Sequence, residues 1–211
     1  MKRMPPDQRR QAIVDAALSV ARRKGFSGTT VRDIASEMGT SSGLIHHYFE
    51  SMDQLLALAF VQAAEADLEM VGAAMRAAAN PPAAIATFLD AYAPADRDWA
   101  FQLWFEAWAE ATRRPPLRAA SRRLNMAWQQ LLETTIASGV EAGEFSCDDA
   151  GAAAWRILSL LDGLAIQVIA HESMIDRATA LAWTTRMAED ELGLGPEPGL
   201  QRLVNATTGL R

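Results

Sequence analysis

The sequence predicts an all-α protein: a three-helix N-terminal domain built around a helix-turn-helix, followed by a larger helical domain, with about nine helices in all. Three observations predict it. β-Branched alternation is scarce, whereas alanine and leucine abound. Apolar residues recur at i, i+3, i+4 and i+7, the period of a helix that buries one face. Proline, glycine and short polar cap residues punctuate the chain at helix-length intervals.

Pro5-Pro6-Asp7 precedes a first helix that ends near Gly25, with Ile13, Ala16, Ala17 and Val20 as its apolar stripe. Thr30-Val31-Arg32-Asp33 fits a capping box opening a short second helix, which carries Val31, Ile34, Ala35 and Met38 and stops at Gly39. A third helix runs from about Ser41 to Phe49. Ser51-Met52-Asp53-Gln54 is a second capping box, opening a long fourth helix to about Ala79. Asn80-Pro81-Pro82 breaks the chain before a fifth helix over about 83–93, which Pro94 ends. A sixth helix, over about 97–113, is rich in aromatic residues. Pro115-Pro116 separates it from a seventh over about 116–141. Ser146-Cys147-Asp148-Asp149 fits a cap for an eighth helix to about His171. Ser173-Met174-Ile175-Asp176 fits one for a ninth to about Leu192. The domains expected are 1–50, 51–192 and a mostly irregular tail, 193–211.

Half of the 211 residues are hydrophobic, enough for a sizeable core. No apolar stretch reaches the ~20 uninterrupted residues of a membrane span, and the single cysteine, Cys147, has no partner for an internal disulfide. A cytoplasmic protein with no membrane association is expected. The net charge of −6 hides a split. Residues 1–49 hold eight Lys/Arg against four Asp/Glu, a net +4. The remainder holds twelve Arg against twenty-two Asp/Glu, a net −10, and all six tryptophans. A small basic module on a larger acidic body is one interpretation; a solvated basic face is the other.

The second and third helices are short and separated by Gly39-Thr40, the spacing of a helix-turn-helix whose second helix enters the major groove. A helical wheel centred on Ile45 buries Ile45, Phe49 and Ser41 and leaves Ser42, Gly43, Leu44, His46, His47 and Tyr48 outward. Gly43 allows close backbone approach to DNA, and Leu44 matches a thymine methyl group. Ser42, His46 and His47 offer hydrogen bonds to base edges or phosphates, and the Tyr48 and Thr30 hydroxyls suit phosphate oxygens. Periodicity alone leaves open an ordinary packed helix pair. His46 and His47 point apart on a helix with no carboxylate or cysteine at ligand spacing, so no metal site is expected.

Thr29-Thr30-Val31-Arg32-Asp33-Ile34-Ala35 and Gly39-Thr40-Ser41-Ser42-Gly43-Leu44-Ile45-His46-His47-Tyr48-Phe49, with Ser51, Leu55 and Leu56, closely resemble the TetR family of one-component regulators over about residues 9–60. The resemblance implies an all-helical homodimer that binds double-stranded operator DNA and a C-terminal domain that senses a small molecule. It further implies DNA contacts from Thr30, Ser41, Ser42, Leu44, His46, His47 and Tyr48. Two positions depart from the family's usual pattern: Met52 stands where lysine is common, and His46 where tyrosine is frequent. Lys2, Arg3, Arg9 and Arg10 are candidates to reach flanking phosphates instead.

Residues 99–108 contain five aromatics: Trp99, Phe101, Trp104, Phe105 and Trp108. With Trp128, Trp155 and Phe88 they form either a bulky core or the apolar wall of a ligand pocket. Together with Leu161-Asp162-Gly163-Leu164, this segment is similar to the choline-responsive (BetI-like) branch of the family. Aromatic faces attract quaternary ammonium ions, and Glu106, Glu110 or Asp162 could supply a countercharge. A neutral hydrophobic effector fits the composition equally, and Asp162 could instead cap or pair internally. The ligand-binding residues expected are Phe101, Trp104, Phe105, Trp108, Trp128, Trp155 and Asp162. Glu106 and Glu110 are not accompanied by a nucleophile, a phosphate loop or a metal motif, so neither an enzyme nor a cofactor is expected.

The eighth helix is apolar almost all round, so one face needs a partner beyond its own core. Helices over about 149–171 and 175–191 are therefore the expected homodimer interface, and two-fold symmetry implies a palindromic operator. The resulting expectation is a ligand-responsive repressor. The alternative is a small-molecule-binding or scaffold protein without specific DNA binding.

Overall fold

A computed structural model of the chain describes residues 4–171, 174–195 and 199–200. Among the described residues there are nine α-helices and no strand. They are α1 (Pro6–Gly28), α2 (Val31–Glu37), α3 (Ser42–Tyr48), α4 (Met52–Arg76), α5 (Pro81–Asp90), α6 (Asp98–Ala111), α7 (Pro115–Glu141), α8 (Ala150–Ala165) and α9 (Arg177–Glu191). A 3₁₀ turn, Ala95–Arg97, precedes α6, and a π-helical turn, Ile166–Ala170, extends α8.

The chain forms two compact units. One comprises residues 1–66 and 102–124; the other comprises 67–101 and 125–211. The unit that holds the helix-turn-helix is thus larger than residues 1–50, because α4 and α6 supply part of its packing. Its core is Ile13, Ala16, Ala17 and Val20 of α1, Ile34 and Ala35 of α2, Ile45 of α3, Phe49, and Leu55 and Ala59 of α4. Phe60 of α4 meets Phe26 edge-on, with ring centroids 6.3 Å apart, and meets Trp104 of α6 at 5.0 Å.

Two glycines set the path of this unit. Gly25 has φ +76°, so the chain breaks its helix there before the last turn of α1. Gly39 has φ +61° and closes α2: its N–H donates to the Ser36 carbonyl, and the Thr40 N–H donates to that of Ala35. The Thr30–Asp33 capping box is present in both directions. Ser51 Oγ accepts the Gln54 N–H at 3.2 Å at the start of α4.

In the second unit α8 packs on α9, and α5 also packs on α9. Several boundaries differ from those expected. α4 stops at Arg76, and α5 begins at Pro81 because Asn80 Oδ1 caps it by accepting the Ala83 N–H at 2.9 Å. The cap of α8 is Asp149, whose Oδ1 accepts the Ala152 N–H, rather than Ser146. Ser146 instead donates its backbone N–H to the Leu192 carbonyl. Asp176 caps α9 through Thr179 N–H at 2.7 Å. Ser173, Lys2, Arg3 and most of the 193–211 tail lie outside the described residues.

Among the described residues one segment, Ala150–Ala170, is long and apolar enough to cross a membrane, with mean hydropathy 1.5. The second apolar face expected from the sequence is absent: the large aliphatic side chains of α8 gather on one face, which is buried within this chain. Ala153, Ala154, Ile157, Leu158, Leu161 and Leu164 are buried, whereas Trp155, Arg156, Ser159 and Gly163 face outward, with Arg156 paired to Glu191 of α9.

Candidate functional site

α3 presents the surface that its sequence periodicity predicts. Ile45 is buried at 2% exposure and Phe49 at 4%. Gly43, His46 and His47 are exposed, and Ser42, Leu44 and Tyr48 are half-buried. The His47 and Tyr48 rings meet edge-on at 5.2 Å. Ser41, expected on the buried side of the wheel, is instead exposed: it is the extended N-cap residue outside the helix, and its hydroxyl makes no capping bond. A β-carbon at Gly43 would meet only Ser41 Oγ, at 3.8 Å, so the backbone there is open to approach.

α2 supports this surface. Thr30 is exposed, but its hydroxyl is engaged in the capping box, donating to Asp33 Oδ2 at 2.7 Å. Lys24 and Thr30 both bond the Asp33 carboxylate and hold its pKa down at about 2. Arg23 and Ser19 do the same for Glu37, whose pKa is lowered. The α1–α2 corner is therefore fixed by charge-assisted bonds at the surface. Met52 is half-buried against the core of this unit, so it serves as packing where a lysine would reach outward. The Arg10 guanidinium lies 4.5 Å from the centroid of Phe49, placing a cation at the end of α3.

The aromatic residues expected at a ligand pocket separate into two groups. Trp104, Phe105 and Trp108 belong to the first unit. Trp104 is 8% exposed, with its ring 5.6 Å from Trp108, and Phe105 lies 6.1 Å from Trp108. Phe101 and Trp128 belong to the second unit, where they meet Tyr92 at 5.0 and 6.0 Å; Phe88 meets both Tyr92 and Trp128. Trp155 joins neither group; it is 39% exposed. Tyr92 is the central ring of the second group and was not among the residues expected. Its position two residues before Pro94, in the turn that follows α5, carries no periodic signal.

A small apolar pocket of about 30 Å³ opens beside this second group. Leu89, Tyr92, Phe101, Leu161, Leu164 and Thr184 are among its lining residues. Arg177, also in the lining, is pinned to Asp98 by bonds of 2.7 and 2.9 Å. Asp162 is half-buried between lining residues Leu161 and Leu164, and loss of water pushes its carboxyl up to about 7. Its charge also raises the pKa of Tyr92, after the larger effects of burial and Asp67. It makes no ion pair among the described residues. Glu106 and Glu110, the other carboxylates considered, are committed elsewhere in the first unit. Glu106 accepts the Phe26 N–H at 2.7 Å, and Glu110 pairs with Arg113 and Arg114. Among the described residues no group of three His, Cys, Asp or Glu is placed to hold a metal ion.

Residues 13–59 match the family model for bacterial regulatory proteins of the tetR family, and residues 81–193 match that for BetI-type transcriptional repressors, C-terminal region. The HTH-type transcriptional regulator BetI of Rhizobium meliloti is 31% identical over 183 residues, covering 83% of this chain and 85% of that protein. BetI of Cronobacter sakazakii is 28% identical, covering 90% and 93%. Among solved structures, a Saccharomonospora viridis transcriptional regulator in complex with choline superposes with a TM-score of 0.77 at 25% identity, covering 87% of this chain and 96% of that one. A Pseudomonas aeruginosa regulator superposes at 0.76 with 22% identity, covering 95% and 96%. The chain belongs to the TetR family of DNA-binding, ligand-responsive transcriptional regulators, in its BetI-type branch.

Proposed function

We propose that this regulator is a cytoplasmic homodimeric repressor whose α3 helices read a palindromic operator. The observation that carries this is the split of α3 itself. Ile45 anchors it in the core, while Gly43, His46 and His47 stand free on a helix too short to need a second packing face. Ser41, Ser42, Leu44 and Tyr48 complete the contact surface, with Thr30 at the head of α2. Leu44 would meet a thymine methyl, His46 and His47 base edges, and the serine and tyrosine hydroxyls phosphates.

The two protomers would join through the outward faces of α8 and α9. Trp155, Ser159 and Gly163 succeed one another at i, i+4 and i+8, and Trp183 of α9 is 53% exposed. Exposed tryptophans beside small residues suit a close helix-to-helix interface.

The effector would enter the pocket beside Tyr92 and Phe101, with Trp128 behind these rings and Asp162 nearby. Trp104, Phe105 and Trp108 support the first unit rather than line this pocket. α4 starts four residues after α3 ends and continues along the chain to Arg76. An effector that prefers one conformation of the second unit would shift the population of the DNA-binding form, and only by its difference in affinity for the two.

Gel-shift titration against the chain's own upstream region tests this function. Specific binding in the nanomolar range that weakens steeply with salt supports it. Binding no tighter to that region than to random duplex contradicts it.

A further inference from the structure

Asp67, on the C-terminal half of α4, is 4% exposed, and burial raises its pKa although a cation is beside it. That cation is Arg97, from the 3₁₀ turn before α6. Its Nη2 donates to Asp67 Oδ1, and its Nη1 lies 3.7 Å from Met70 Sδ. The guanidinium carbon is 5.6 Å from the Tyr92 centroid and 5.7 Å from that of Trp99. The Tyr92 hydroxyl donates to Asp67 Oδ2 at 3.4 Å. A buried carboxylate with two aromatic rings is how proteins receive organic cations. The fit is incomplete: Arg97 Nε is buried with no hydrogen-bond partner among the described residues. Tyr92 belongs at once to this cradle and to the lining of the adjoining apolar pocket.

We propose that Asp67, Tyr92 and Trp99 form a guanidinium-binding subsite of the effector pocket, which the chain fills with its own Arg97 until an amphipathic guanidinium or amidinium ligand displaces it. The ligand class follows from the occupant. Asp67 accepts N–H bonds, which a planar N–H-bearing cation supplies and a quaternary ammonium does not. An apolar body is required as well. The tethered Arg97 competes at an effective concentration on the order of millimolar, so a small free cation does not displace it. A ligand whose apolar chain also packs on Tyr92 and the small apolar pocket beside it does. Its binding frees the turn between α5 and α6. This inference rests on the second unit being the effector domain.

Direct binding measured without DNA tests it, using hexylguanidinium followed by tryptophan fluorescence and calorimetry, with hexylurea and hexyltrimethylammonium as controls. Hexylguanidinium is expected to bind the wild-type protein saturably and to bind Arg97→Ala at least tenfold more tightly, because the internal competitor is gone. Methylguanidinium at millimolar concentration should bind Arg97→Ala and not the wild type. Adding Asp67→Asn to Arg97→Ala should abolish both. Arg97→Met, which keeps the apolar stem, replaces Arg97→Ala if that variant does not fold. Equal affinity in wild type and variant, or equal binding of hexylurea or hexyltrimethylammonium, overturns the proposal. So does the absence of saturable binding to the wild type. Operator binding is read separately. Cation binding with no change in operator affinity would keep the subsite and remove the effector reading, whereas loss of cation binding alone would leave the regulator intact.

Discussion

The carboxylate of Glu106 accepts the backbone N–H of Phe26 at 2.7 Å, at the point where Gly25 turns the chain out of the main body of α1. A β-carbon on Gly25 would lie 3.0 Å from Glu106 Oε2. One contact thus caps a broken helix and ties α6 to the three-helix module within the first unit. Glu106→Ala leaves a buried N–H unmet and should cost about 1–3 kcal/mol in chemical denaturation. Gly25→Ala should cost about as much, roughly 1–2 kcal/mol from the left-handed backbone alone. Unchanged denaturation midpoints in both would show the contact to be incidental.

Asp162 gives the protein a pH signature. Its carboxyl titrates near 7 in the folded chain against an ordinary value of 3.8. The folded state therefore holds the proton more tightly than the unfolded state. The associated stability is complete below about pH 4 and is lost as pH rises through 7, amounting to a loss on the order of 2–4 kcal/mol. Asp162→Asn cannot ionise. Its melting temperature relative to wild type should rise steadily from pH 5 to pH 8. A difference that stays flat with pH would contradict the assignment.

Ser159 sits midway along the outward stripe of α8, between Trp155 and Gly163. Ser159→Arg should place an unpaired charge in the proposed dimer interface and shift sedimentation from dimer to monomer. Operator affinity should fall with it, because each half-site would then be bound alone. A dimer that survives this change would place the interface elsewhere.

The short helices were the most legible part of the chain. In α2 and α3 each residue has one role, so periodicity around Ile45 and the Thr30–Asp33 spacing suffice to orient them. The aromatic run at 99–108 was not legible in the same way. All five rings lie on α6 or its first turn, yet residues up to Phe101 pack in one unit and those from Trp104 onward in the other. Trp104 meets Phe60 of α4 and Phe101 meets Tyr92 just past α5, and composition carries no record of either pairing. Trp155 shows the same limit. A tryptophan on an apolar helix reads as core, and only the packing of α8 on α9 reveals that it faces outward. Arg97 was invisible because an arginine in a loop reads as a solvated charge until the carboxylate that buries it is known.

The most direct measurement is operator affinity for Leu44→Ala and His47→Ala, with folding checked by thermal melting. Each should weaken specific binding roughly 5- to 100-fold, the value of one base contact at about 1–3 kcal/mol. Non-specific affinity and melting temperature should stay near wild type, because Leu44 and His47 lie outside the buried core. Operator binding unchanged in both variants would contradict the assignment of α3 as the recognition helix.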